Sequence, residues 1–275
     1  MGHLDHATFG WLTPALSYAM ACVGAALGLR CTVRALDATG RSRRNWLLTA
    51  ASAIGTGIWT MHFVAMLGFG VTGTDIRYDV PLTILSLVVA MVVVGVGVFA
   101  VGYGRDRVRS LLIGGLTTGV GVASMHYMGM AALRLHGEIR FDPLLVGLSV
   151  VIAVVAATAA LWAALNIHAP AAVAVASLVM GAAVSSMHYT GMLAVGVDVA
   201  PSTATLPGAT VMQFIFPLAV GLGSYLFITS AFVALSPTAK ERAAYASAGR
   251  LTDERAVDVA PPGFRTAESV RTHAS

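Results

Sequence analysis

The chain has 275 residues, of which 57% are apolar and only 11% are charged, with a net charge of +4 at pH 7. Soluble domains carry about 25% charged residues, so this composition excludes an ordinary soluble enzyme, a disordered chain and a nucleic-acid-binding module. Most of the chain is therefore predicted to lie in a lipid bilayer, and no nucleic-acid partner is expected.

Seven apolar stretches are long enough to cross a membrane. About 20 mostly apolar residues span a hydrocarbon layer of about 30 Å, and runs without period-two alternation favour helices over a barrel. In chain order the predicted spans are residues 11–33, 46–69, 81–101, 111–133, 144–165, 171–195 and 211–235. The predicted fold class is all-α, a polytopic membrane protein with seven transmembrane helices.

The composition changes after the seventh stretch. Residues 1–235 are predicted to form the membrane domain, whereas residues 236–275 are rich in Ala, Arg, Glu, Thr and Pro and predict a disordered cytoplasmic tail. About 40 residues at this end are too few for a catalytic domain. We therefore do not expect the chain to be an enzyme.

The basic residues favour one orientation in the membrane. All but three of the 17 Lys and Arg residues fall at the end of the first span, in the first and third connections or in the tail; the exceptions are Arg77, Arg134 and Arg140. Lys and Arg concentrate on the cytoplasmic side of membrane proteins. The prediction is a multi-pass protein of the inner (plasma) membrane, with its amino terminus outside and its carboxy terminus in the cytoplasm.

A short motif occurs three times, in the second, fourth and sixth spans. The copies read Met61-His62-Phe63, Met125-His126-Tyr127 and Met187-His188-Tyr189. Two-span units keep the same orientation in the membrane, so these are parallel repeats. The fold is predicted to be three two-helix parallel repeats plus one helix, with the three histidines at one depth in the outer half of the bilayer.

The motif side chains have the chemistry of a metal site. A methionine four residues after each histidine shares its helix face, whereas the preceding methionine points about 100° away. Thioether sulfur is soft and imidazole is borderline, which favours copper over magnesium or calcium. Packing is the alternative, because methionine in a membrane helix usually fills space. The candidate ligands are His62, His126, His188, Met66, Met130, Met192, Met61, Met125 and Met187.

Small residues precede each copy of the motif. They are Gly55 and Gly57, Gly119 and Gly121, and Gly181 and Ala183. Small residues let membrane helices approach closely. We therefore expect them to bring the three motif helices to one centre.

The three copies resemble the signature of the bacterial MHYT domain family. Residues 187–190 read Met-His-Tyr-Thr and match all four letters, residues 125–128 depart at Met128, and residues 61–64 read Met-His-Phe-Val, in which Phe63 lacks the tyrosine hydroxyl. The resemblance covers residues 11–235. It implies a seven-span membrane sensor module that binds copper near the outer surface and senses oxygen, carbon monoxide or nitric oxide.

The resemblance also bears on partners. Members of this family often join the module to cytoplasmic signalling domains, which predicts that a separate cytoplasmic signalling protein receives the signal here. Two other functions remain open on the residues alone. One is a transporter or carrier of copper or another metal, and the other is a membrane haem protein with histidines as axial ligands.

Overall fold

Seven long helices dominate the computed structural model, which describes residues 4–5, 10–200, 202, 204–236 and 247. They are α1 (Leu12–Leu36), α2 (Gly40–Met66), α3 (Val80–Tyr103), α4 (Arg107–Ala131), α5 (Pro143–Asn166), α6 (Pro170–Leu193) and α7 (Phe216–Leu235), the last preceded by a π-helical turn at Val211–Ile215. All seven are long and apolar enough to cross a membrane, counting α7 with its preceding turn. The predicted seven-span, all-α fold is confirmed.

Aspartates start three of these helices. The side chains of Asp79, Asp106 and Asp142 accept hydrogen bonds from backbone N–H groups in the first turns of α3, α4 and α5. These N–H groups have no partner inside the helix, so a carboxylate at this position stabilises the helix end. A proline in the first turn of α3 and of α5 fits the same place, because its missing N–H is not needed there.

The first six helices form a closed ring. Each packs against the next in the chain, and α6 packs back against α1. The motif helices α2, α4 and α6 therefore alternate with α1, α3 and α5, which places the three two-helix repeats around a common pseudo-threefold axis. Helix α7 lies outside the ring, where the Tyr225 hydroxyl is 2.7 Å from Ser52 Oγ on α2 and Arg34 of α1 donates to the Val233 carbonyl.

The small residues before each motif let helices approach closely, as the sequence predicted, but the helices that they contact are the neighbours in the ring. A Cβ built on Gly55 would lie 2.7 Å from Met91 Cα of α3, and one on Gly119 would meet the backbone of Val154 on α5. These glycines pack the motif helices against their neighbours in the ring, not against one another. The reason is the alternation, since the helices next to each motif helix in the ring are not motif helices.

Short antiparallel strand pairs follow the motif helices at one end of the ring. Strand β1 (Leu4–Asp5) pairs with β2 (Gly70–Val71), β3 (Arg77–Tyr78) with β4 (Leu133–Arg134), and β5 (Gly137–Phe141) with β6 (Val195–Val199). The sequence analysis predicted no strands in these connections. We call this end of the ring the strand side. The opposite end is the arginine side, where the first turns of α2 carry Arg41, Arg43 and Arg44 and the connection before α4 carries Arg105.

The compact unit that contains the ring runs from Met1 to Ala234. The predicted tail, residues 236–275, lies outside the described residues except for Ser236 and Ser247. The two cysteines, Cys22 and Cys31, are not joined by a disulfide.

Candidate metal centre

The three motif histidines meet at the centre of the ring. The Nδ1 atom of His62 lies 3.0 Å from that of His188 and 3.2 Å from that of His126, and the remaining Nδ1–Nδ1 distance is 3.3 Å. All three side chains are at most 1% exposed. Each histidine stands close to the end of its helix, on the strand side. The expectation that the histidines share one level agrees with this geometry, and their role as metal ligands stays a prediction.

Protons alone do not satisfy this triangle of nitrogens. A neutral imidazole has one N–H donor and one acceptor nitrogen. If no Nδ1 carries a proton, three lone pairs face one another. If one Nδ1 carries a proton, the other two nitrogens still face each other as acceptors. If two carry protons, two N–H groups face each other. A cation at the centre accepts all three lone pairs at once. The donor arrangement is therefore suited to a positive ion.

The nitrogen spacing also fits such an ion. Metal–imidazole bonds of about 2.0–2.1 Å hold tetrahedrally placed nitrogens about 3.3–3.4 Å apart, close to the 3.0–3.3 Å seen among His62, His126 and His188. Three protein ligands leave the fourth tetrahedral position open, which is the usual arrangement of sites that bind an exogenous ligand. Imidazole ligands suit copper, zinc, iron and nickel.

Two glycines let the imidazoles reach the axis. A Cβ on Gly129 of α4 would lie 2.5 Å from His62 Nε2, and a Cβ on Gly191 of α6 would lie 2.5 Å from His126 Nε2. Each imidazole thus fills the space above a glycine on the next motif helix. The sequence analysis missed both residues, although each stands three positions after the histidine of its own helix; Ala65 takes that place in the first repeat.

Two of the outward-facing imidazole nitrogens lack a hydrogen-bond partner among the described residues. The Nε2 atoms of His62 and His126 are buried and have no hydrogen-bond partner within the part of the chain that the structure describes. Histidine ligands usually donate this second N–H to a carboxylate or carbonyl. Packing against the glycines, more than outer hydrogen bonds, therefore fixes the orientation of these two rings.

The candidate methionines are buried on both sides of the histidine layer. Met66, Met130 and Met192 stand one helical turn towards the strand side and are at most 3% exposed. Because helix side chains lean towards the amino terminus, these thioethers lean towards the imidazoles. The methionines that precede the histidines are at most 1% exposed; they are Met61, Met125 and Met187. Their roles as ligands stay predictions.

The first and second repeats tie the motif helix to the neighbouring helix in two different ways. In the second repeat, Ser149 Oγ of α5 donates to the Val146 carbonyl, so the Tyr127 hydroxyl, 2.6 Å away, donates to Ser149. In the first repeat, Phe63 has no hydroxyl. There Trp59 Nε1, one turn earlier on α2, donates to Ser86 Oγ of α3 at 2.9 Å. The sequence analysis did not identify these partners.

Aromatic rings close the strand side of the first repeat. The Phe63 ring lies 4.3 Å from the Trp59 ring and 6.1 Å from the Tyr78 ring, measured between centroids. Tyr78 is 1% exposed, and burial raises the pKa of its hydroxyl. Its backbone exchanges two hydrogen bonds with Ala209. The connection before α7 thus holds Tyr78 beside Phe63, the residue that follows His62.

Known proteins share this repeat. The family model MHYT, described as a bacterial signalling protein N terminal repeat, matches residues 55–114 and 119–177. The bifunctional diguanylate cyclase/cyclic di-GMP phosphodiesterase MucR of Pseudomonas aeruginosa is 41% identical over 185 residues, which cover 66% of this chain and 27% of that protein. The cyclic di-GMP phosphodiesterase NbdA of the same organism is 33% identical over 206 residues, covering 73% and 26%.

A third relative comes from another organism. The signaling protein YkoW of Bacillus subtilis is 31% identical over 202 residues, which cover 69% of this chain and 24% of that protein. The chain spans about a quarter of the length of these curated relatives. No solved structure matches it. The repeated motif, the seven membrane helices and these relatives together make the chain a multi-pass membrane protein of the MHYT family of bacterial signalling proteins.

Proposed function

We propose that this protein is a membrane sensor that binds copper through the three motif histidines and responds to a diatomic gas, namely oxygen, carbon monoxide or nitric oxide. The observation that carries the proposal is the triangle of Nδ1 atoms, 3.0–3.3 Å apart, whose lone pairs only a central cation satisfies together. Copper is favoured among imidazole-binding metals because six buried methionines supply soft thioethers beside the histidines.

The protein residues would hold and shield such an ion. His62, His126 and His188 would bind it, and the buried methionines on the strand side would limit access of water. Copper would supply an open coordination position for the gas. A ligand changes a protein only by favouring one of two arrangements. Since each histidine belongs to a different repeat, a shift at the ion would alter how α2, α4 and α6 stand relative to one another.

The output of the sensor is proposed from the relatives. Two of them are named as proteins that make or degrade cyclic di-GMP. We propose that the signal from this membrane domain passes to a cytoplasmic signalling protein of a comparable kind. Co-purification of a tagged chain with such a protein, and loss of the pairing when the gas is removed or supplied, would test this link.

The orientation is proposed from the arginines. The arginine side would face the cytoplasm and the strand side the exterior of the inner membrane, because basic residues are retained inside. Alkaline phosphatase and green fluorescent protein fused after Leu235 test this. A fluorescent green fluorescent protein fusion together with an inactive phosphatase fusion supports a cytoplasmic carboxy terminus. An active phosphatase fusion without fluorescence would show the opposite orientation.

Metal analysis tests the ligand assignment. The chain is purified in detergent, loaded with copper, and its metal content measured by mass spectrometry; Cu(II) bound by nitrogen also gives a characteristic electron paramagnetic resonance spectrum. We expect one ion per chain, and none when His62, His126 and His188 are changed to alanine. A matched control changes His136 and His168, which lie in connections. Equal copper in the triple variant and the unmodified protein would overturn the site.

Two observations weigh against the alternative functions. The space on the arginine side of the histidines is lined by apolar side chains and two threonines, which offers an ion little path for transport. Nδ1 atoms 3.0–3.3 Å apart also leave no room for a porphyrin plane between the rings. Uptake of radioactive copper into vesicles would favour the transporter, and an intense Soret band in the purified protein would favour haem.

A further inference from the structure

An apolar cavity lies inside the ring, on the arginine side of the histidines. Its volume is about 60 Å³. Its lining includes the residues four and eight positions before the histidine in every motif helix: Ile58, Val122 and Val184, then Ile54, Thr118 and Met180. Four residues rise about 6 Å along a helix. The cavity therefore begins one helical turn from the imidazoles and follows the pseudo-threefold axis.

All six helices of the ring contribute to the wall. Besides the motif helices, α1 supplies Leu29 and Thr32, α3 supplies Val94, and α5 supplies a run of alanines that includes Ala157. Met187, the residue directly before His188, also lines the cavity. The cavity is thus enclosed by all six helices of the ring and directly adjoins the histidine layer.

The cavity offers water few partners. Its two hydroxyl groups are already used, because Thr32 donates to the Gly28 carbonyl at 2.8 Å and Thr118 donates to the Val93 carbonyl at 3.3 Å. The other lining side chains are hydrocarbons or thioethers. A buried water needs two to four polar partners, whereas an apolar cavity stays dry and takes up apolar molecules such as xenon or benzene when it is large enough.

We propose that this axial cavity binds a small apolar molecule of the size of a diatomic gas, next to the histidine layer. Cavities of about 150 Å³ hold benzene, so a space of about 60 Å³ suits a molecule of two heavy atoms or a xenon atom. The inference deepens the proposed gas sensing, on which it rests for its biological role, by giving the gas a binding place. Binding of an apolar molecule in the cavity does not require an ion at the histidines.

Xenon binding tests the cavity directly. The full chain is purified in detergent with ¹³C-labelled methionine methyl groups, and their resonances are followed as xenon pressure rises. We expect saturable shifts for Met180 and Met187, which line the cavity. The methyl group of Met212, whose residue is 70% exposed, should shift only in proportion to pressure. Absence of saturable shifts at both cavity methionines would overturn the proposal.

A variant that fills the cavity with a larger side chain tests the proposal against a matched control. Ala157→Leu places three extra carbons in the space, and we expect xenon affinity at the cavity methionines to fall at least tenfold. Ala159→Leu makes the same change at an exposed position of α5 and should leave xenon binding unchanged. Ala157→Val, with a smaller added volume, replaces the leucine variant if that one does not fold. Saturable shifts that persist in the filled variant would place xenon elsewhere.

The same samples separate this inference from the metal proposal. Copper content is measured on each variant, and xenon titrations are repeated after copper is removed with a chelator. Xenon binding without copper binding would refute the metal site and leave the cavity standing. Copper binding with no saturable xenon shift would refute the cavity and leave the metal site standing.

Discussion

The positions of His62 and His126 depend on glycines that belong to other helices. An added Cβ on Gly129 or Gly191 would lie 2.5 Å from an Nε2 atom, closer than non-bonded atoms approach, so the imidazole must move away from the axis. We predict that Gly129→Ala and Gly191→Ala each weaken copper binding at least tenfold, as measured by metal competition in detergent. Overpacking of this kind also costs about 1–3 kcal/mol of stability.

A helical glycine with free space around it provides the control for these variants. Gly147→Ala adds a Cβ on α5 that would meet no atom within 4 Å. Alanine is the better helix former, so this variant should be as stable as the original protein and bind copper equally well. Unchanged copper affinity in the two site variants would show that the imidazoles do not need the glycines.

The first repeat replaces a tyrosine hydroxyl by a tryptophan N–H. Trp59→Phe removes the donor to the buried Ser86 hydroxyl, and a hydrogen bond of this kind contributes about 0.5–1.5 kcal/mol. We predict a loss of that size, measured by reversible unfolding in detergent. The further change Phe63→Tyr should restore part of the loss, because it recreates the Tyr127–Ser149 pair of the second repeat.

Two comparisons separate this hydrogen bond from the loss of ring volume. A double-mutant cycle with Ser86→Ala isolates the coupling between the two side chains. Trp162→Phe makes the same substitution on α5 at a residue that is 52% exposed and should cost little. Additive effects of Trp59→Phe and Ser86→Ala on the free energy of unfolding would mean that the hydrogen bond between the two side chains does not contribute to stability.

The histidine layer was predictable from the sequence, whereas its support was not. Repetition of a polar residue at one helix position in three apolar spans marked His62, His126 and His188, because a polar ring inside a membrane needs a partner. Trp59 carries no such signal, and the repeated position of Gly129 and Gly191 does not show which histidine each glycine contacts. Their roles depend on which helices are neighbours, and ring closure between α6 and α1 is a long-range property that periodicity does not encode.

At the scale of elements, Asp79 joins a helix to a strand. Its carboxylate accepts from the Leu82 N–H at the start of α3 and from Arg134 of β4, with an N–O distance of 2.7 Å for the ion pair. The backbone hydrogen bond first, and then Arg134, hold the pKa of Asp79 below its usual range. Folding therefore favours the ionised carboxylate, and this contribution is present above the ordinary pKa of about 3.9 and lost as the pH falls below it.

This linkage predicts a change in acid sensitivity. We expect the melting temperature of Asp79→Asn to vary less between pH 5 and pH 3 than that of the original protein, because asparagine can cap the helix but does not titrate. Arg134→Gln should retain part of the pH dependence, since the Leu82 N–H remains. Thermal unfolding in detergent across this range measures both. Identical acid profiles for all three proteins would exclude Asp79 as a contributor.

The helices were predicted well and the strands were not, for a physical reason. A bilayer sets the length and polarity of a span, so composition alone locates the seven helices. The strands are two to five residues long and pair across different connections, as β3 does with β4. Their register is fixed by where α2, α4 and α6 end in space.

For the whole molecule, the three repeats are not equivalent in their surroundings. Helix α7 packs on α1 and α2, through Arg34 and Ser52, and 78% of the residues in the apolar window of α2 are buried, against 22% for α6. The more enclosed repeat is also the one with Phe63 and Ala65 in place of tyrosine and glycine. The first repeat is therefore the one whose motif helix is most enclosed by the rest of the protein.

An ion at the histidine layer would connect all three repeats at once. A ligand that binds only the folded state stabilises it by about 2.7 kcal/mol at a concentration of 100 times Kd. In a protein of this size that corresponds to about 5–10 °C in Tm. We predict a rise of this order when copper is added, and its reversal by a chelator, measured by thermal unfolding in detergent.

Alanine variants of the three histidines should reduce the copper-induced rise in melting temperature to different extents. Because His62, His126 and His188 each come from a different repeat, removing any one leaves two ligands that still join two repeats, so single alanine variants should show a reduced shift and the triple variant none. His136→Ala combined with His168→Ala should behave like the original protein. A copper-induced shift that survives in the triple variant would mean that the ion binds elsewhere and would refute the assignment of the three histidines as its ligands.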